Sequence, residues 1–90
     1  MGIYEIYLIT MAATWDDNDI PHRELNRFIV PVQEGDQQGN ELMMEAALRK
    51  VRAKLKAEDD LMKAENAIPH DKWTGWDFVS IELMEDAKIL

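Results

Sequence analysis

The chain contains no cysteine. That excludes disulfide staples, thiolate nucleophiles, iron–sulfur clusters and cysteine-ligated zinc. In a small domain it points to a reducing, cytoplasmic setting. Glycine is scarce: Gly2, Gly35, Gly39 and Gly75 are all there are. None has the spacing of a phosphate-binding or dinucleotide-binding loop, where closely set glycines let backbone amides point at phosphates. No uncharged apolar run approaches the roughly 18 residues of a membrane-crossing helix. The first apolar stretch, Ile3 to Ala13, holds Glu5 and lacks a basic lead-in, so it does not read as a secretory signal. Behind Met1-Gly2, position 6 is Ile6, where myristoylation requires a hydroxyl residue.

What is present is a chain of 90 residues, 47% apolar. It reads as a single domain, 1–90, with a thin core, about 60–65% of its unfolded surface leaving water. The formal charge is −8 and is unevenly spread. Residues 1–48 carry nine acids and two bases, 49–56 five bases and no acid, and 57–90 nine acids and three bases. A negative field of this size disfavours direct contact with nucleic acid or an anionic membrane, and suits a protein partner with a basic surface.

Ile3 to Thr14 predicts a strand, β-branched and aromatic, apolar on both faces and therefore central. Trp15 to His22 reads as a turn-rich loop. Leu25 to Gln33 predicts a second strand, at the sheet edge because Pro31 cannot donate a ladder hydrogen bond. Asn40 is a good helix N-cap. Met44, Leu48, Val51, Leu55 and Met62 then form one helical stripe. The stripe is interrupted at Glu58, and Asp59-Asp60 admits a break there. Ile68 to Gly75 reads as a loop and Trp76 to Met84 as the last strand, with Glu85 to Leu90 unassigned. The order β-β-α-β predicts an α+β fold: a three-stranded antiparallel sheet, order 2-1-3, with one long helix on one face. The reverse face is then too apolar to stay wet. With Tyr4, Ile6 and Leu8 under the helix, that face carries Tyr7, Ile9, Met11, Trp76 and Phe78; the opposite partition exchanges the two sets.

Candidate chemistry is sparse. His22 and His70 each close an Ile-Pro-His tripeptide beside an acid. Neutral imidazole with carboxylate can ligate zinc or move protons, but the pair lacks the close helical spacing of such sites and reads as two loop histidines. The pairs Asp16-Asp17, Asp59-Asp60 and Glu85-Asp86 read as solvated acids, because general acid–base work needs a carboxyl raised by burial. The block Arg49 to Lys56 spreads its charges around an exposed helical arc and reads as a face pairing with local acids. Trp15, Trp73 and Trp76 are the features most like an interface, since tryptophan buries much area with little loss of freedom.

Together these readings suggest a non-enzymatic protein-binding module, an inhibitor or adaptor of a larger protein. Trp15, Asp16, Asp17, Asp19, Tyr7, Trp73, Trp76 and Phe78 are its candidate contacts, with no metal or cofactor implied. Nucleic-acid mimicry is a sharper version, opposed by the basic block. The alternatives are a structural subunit, homodimeric through the free sheet face, and a small ligand-binding or enzymatic domain using His22 or His70. In composition, though by no motif, the chain resembles the small acidic accessory proteins of phages and mobile elements.

Overall fold

A computed structural model describes residues 3–65 and 71–88. Strand β1 runs Ile3–Asp17 and β2 Ile20–Gln33; a 3-10 turn at Glu34–Asp36 leads to helix α1, Met43–Glu65, and then β3, Asp71–Lys88. The sheet is antiparallel in the order β2-β1-β3 with the helix on one face, an α+β fold. β1 is central because both its faces are apolar, and β2 holds an edge. Lys50 Nζ reaches the Pro31 carbonyl at 3.4 Å. A strand residue aims its carbonyl and its nitrogen to the same side, so the donor that Pro31 lacks faces away from β1.

The strands exceed their predicted lengths. Trp15 to His22 is no loop: β1 and β2 stay paired from Tyr4↔Gln33 to Asp17↔Ile20. Asn18 (φ 49) and Asp19 (φ 67) alone make the turn. Two consecutive left-handed residues produce a turn whose twist matches that of the strands, and Asn and Asp tolerate that conformation best among non-glycine residues. β3 likewise takes in residues 71–75 and continues to Lys88 opposite Ile3.

Tyr7, Ile9, Met11, Val30 and Val32 from the sheet close on Ala46, Ala47, Val51 and Leu55 from the helix. The two alanines let the helix approach closely. Tyr7, Ile9 and Met11 therefore lie under the helix, and the reverse face belongs to the other parity: Tyr4, Ile6 and Leu8 from β1. Met44 is exposed; Met43 takes the flanking position with Leu48. Asn40 is not the N-cap, because the helix begins later, where Glu45 Oε1 accepts from the Leu42 amide at 3.2 Å. The helix is continuous through residues 58–60.

The basic block latches the connection into the helix. Arg49 Nε donates to Glu41 Oε2 at 3.0 Å and its Nη2 to the Asp36 carbonyl at 2.7 Å; Lys50 Nζ meets Asp36 Oδ2 at 2.6 Å. The Arg49 hydrogen bond holds the Glu41 carboxyl below its ordinary range; Lys50, then the Gln33 amide, do so for Asp36. Lys54 lies over the Phe28 ring, 5.9 Å from its centroid.

Candidate protein-binding cleft

Beyond Leu55 the sheet continues toward the hairpin end while the helix face turns polar, and a cleft opens between them. Its volume is about 620 Å³. Its walls are Trp15, Trp73 and Trp76 from the sheet and Leu61 and Met62 from the last helical turns, over Ala13; Asn26, Glu24 and Glu58 supply the polar lining. Ala13 pairs with Trp76 across the strands, so a small residue leaves the space that the indoles surround.

A bulge builds the aromatic wall. Trp73 and Trp76 are three apart, and in a regular strand they would point to opposite faces. The register shifts between Thr14 and Trp15: Trp73 pairs with Trp15, Gly75 with Thr14 and Trp76 with Ala13. Thr74 is the extra residue, and both indoles reach the helix side. Gly75 has φ +130, where a side chain is strained, although the space beside it is open enough for a Cβ. Thr14 Oγ1 donates to the Gly75 carbonyl at 2.9 Å, and Thr74 Oγ1 donates to Thr14 Oγ1 at 2.6 Å, tying the bulge to β1.

The rings are held in place. Trp73 and Trp76 meet edge to face at 5.6 Å, and Trp76 meets Phe28 likewise at 6.3 Å. Trp15 stacks on its cross-strand neighbour His22, 5.6 Å between centroids. Trp73 Nε1–H donates to Asp59 Oδ1 at 2.6 Å, and Lys63 Nζ lies 2.9 Å from Asp59 Oδ2. These two bonds, the indole's first, keep the Asp59 carboxyl below its usual value. The Trp76 indole N–H is buried and has no acceptor among the described residues. The cleft's charged lining is Glu24 and Glu58, with no lysine or arginine among its described walls. Such a site favours a cation: aromatic faces attract it through their quadrupoles and carboxylates through charge.

Of the residues singled out in the sequence, the fold thus brings Trp15, Trp73 and Trp76 together. Tyr7 is not a surface residue: it is buried under the helix, its hydroxyl hydrogen-bonded to Glu5. Phe78, in register with Met11 beside another bulge, is exposed on the outer strand away from the cleft. Asp16, Asp17 and Asp19 sit beyond the cleft at the hairpin end. His22 Nε2 lies 3.9 Å from Asp17 Oδ2; His70 is outside the described residues. Among the described residues no group of three or more His, Asp or Glu is placed to hold a metal ion, and no helix is long and apolar enough to cross a membrane. Sequence reasoning missed Glu24, Glu58, Leu61 and Met62 as lining residues. Glu58, the gap in the apolar stripe, was the available signal: the helix leaves the core where its stripe fails.

Compared with known protein families, with curated proteins and with solved structures, the chain matches none.

Proposed function

We propose that this chain is a non-enzymatic protein-binding module whose tryptophan cleft takes a lysine or arginine side chain from a basic segment of a partner. The observation that carries the reading is the convergence of Trp15, Trp73 and Trp76 with Glu24 and Glu58 in one cleft. Three indoles give the packed aromatic centre typical of binding hot spots, and the carboxylates select charge. Asp16, Asp17 and Asp19 at the adjacent hairpin end extend the negative field and steer a basic partner toward the cleft.

Tryptophan fluorescence titrations with arginine-rich, lysine-rich and glutamate-rich peptides test this. The basic peptides bind and the acidic one does not. Trp15→Ala and Glu24→Gln/Glu58→Gln each weaken binding by about tenfold or more. Equal binding of acidic and basic peptides, or full affinity in both variants, overturns the proposal.

A further inference from the structure

The helix covers one face of the sheet. On the other face, β1 presents Ile6 and Leu8, and β2 presents Leu25 (50% exposed) and Ile29 (65% exposed). The long strands make the molecule extended, 53 × 21 × 20 Å, with a radius of gyration of 16.1 Å; a compact chain of this length has about 12 Å. Its accessible surface is 6420 Å², where a monomer of this mass exposes roughly 5400 Å².

Charge says what covers this face. Register places Arg23 and Arg27 on its β2 side, opposite Thr14 and Thr10, and Asp77 and Glu82 on its β3 side, opposite Ala12 and Leu8. None of the four is in an ion pair among the described residues. At the hairpin end Asp16 and Lys72 share this face as an opposed pair. The β2 flank of the face thus alternates Arg23 and Arg27 with the apolar Leu25 and Ile29, β1 adds Ile6 and Leu8 beside buried Thr10 and Ala12, and the β3 flank is acidic. Rotation about a two-fold axis in the plane of the face and parallel to the strands lays β2 of one copy over β3 of the next. It leaves each residue at its own level along the strands. Arg27 then falls between the levels of the partner's Asp77 and the partner's Glu82, and Arg23 next to that of the partner's Asp77. An axis perpendicular to the strands would instead set arginine on arginine. The sheet edges are poorer docking sites: Pro21 and Pro31 interrupt the β2 edge, and three register irregularities interrupt β3.

We infer that the uncovered sheet face is the interface of a homodimer, a second copy packing face to face about a two-fold axis parallel to the strands. The apolar side chains of β1 and β2 supply affinity and the opposed charges fix the orientation. Both tryptophan clefts then lie at the same end of the dimer, on its two outer sides.

Sedimentation equilibrium at micromolar concentration tests it. The wild type sediments at twice the 10.4 kDa chain mass. Arg23→Glu/Arg27→Glu and Asp77→Lys/Glu82→Lys each place like charges opposite one another and weaken dimerisation by at least about a hundredfold. The quadruple variant restores the dimer, and so does an equimolar mixture of the two double variants, which remains decisive if the quadruple variant fails to fold. Circular dichroism confirms that the double variants are folded. A monomeric wild type, double variants that stay dimeric, or a mixture that stays monomeric each overturns the inference.

Discussion

Gly75 is the residue on which the cleft depends. Its φ of +130 is open to glycine and strained for a side chain, and it adjoins the extra residue that turns Trp73 and Trp76 to the same face. An added Cβ would find its nearest neighbour, Asp59 Oδ1, at 3.8 Å, an ordinary contact. The penalty of substitution therefore lies in the backbone. Gly75→Ala is expected to lower stability by about 1–3 kcal/mol in urea melts. It should also weaken the far-ultraviolet exciton signal of the Trp73–Trp76 pair, because relaxing the bulge parts the rings. A variant of wild-type stability with an unchanged exciton signal would show that the bulge tolerates a side chain. The sequence Trp-Thr-Gly-Trp holds the signal for this, since an isolated glycine within a strand marks a bulge. Read locally, it passes equally for a loop end.

At the scale of the element, helix α1 has two unlike halves. Its first half packs Ala46, Ala47, Val51 and Leu55 on the sheet and is latched by Arg49 and Lys50 to the preceding turn. Its second half carries Leu61 and Met62, both exposed and lining the cleft. Stability should follow this division. Leu55→Ala removes a buried side chain and is expected to cost about 2–5 kcal/mol. Met44→Ala, on an exposed turn of the same helix, should cost less than about 0.5 kcal/mol. Chemical denaturation of both variants checks the pair of values, and equal losses would place Met44 in the core. The stripe from Leu48 to Leu55 was legible because helical periodicity is a local property. Met44 has the right spacing for it, but Met43 and the two alanines are the residues that meet the sheet.

For the whole molecule, the formal charge of −8 would make the proposed association with a basic partner a long-range electrostatic event as well as a local one. The hairpin end carries Asp17 and Asp19 beyond the cleft, with Asp16 on the opposite face of the sheet. Between low salt and about 0.5 M salt, affinity for an arginine-rich peptide is expected to fall by about tenfold or more, mostly through slower association. Stopped-flow fluorescence separates the two rates. An affinity indifferent to salt would leave the aromatic walls as the whole site and remove the carboxylates from the account.

The sequence by itself determined the order β-β-α-β, the central place of the first strand, the edge place of the second and the presence of one helix with its stripe from Leu48 to Leu55. Each rests on a local cause: alternation on both faces of Ile3 to Met11, the missing donor of Pro31, and a repeat near 3.6 residues from Leu48 to Leu55. Tertiary structure alone decided which sheet face the helix covers, how far the hairpin extends past Trp15, and which tryptophans meet. A period of two sorts side chains into two sets and leaves both sets unlabelled; only packing against Ala46, Ala47, Val51 and Leu55 names the set of Tyr7, Ile9 and Met11 as the core. The cleft likewise joins residues from β1, β2, α1 and β3. No stretch of sequence holds them together, because a one-residue bulge and cross-strand register set their distances.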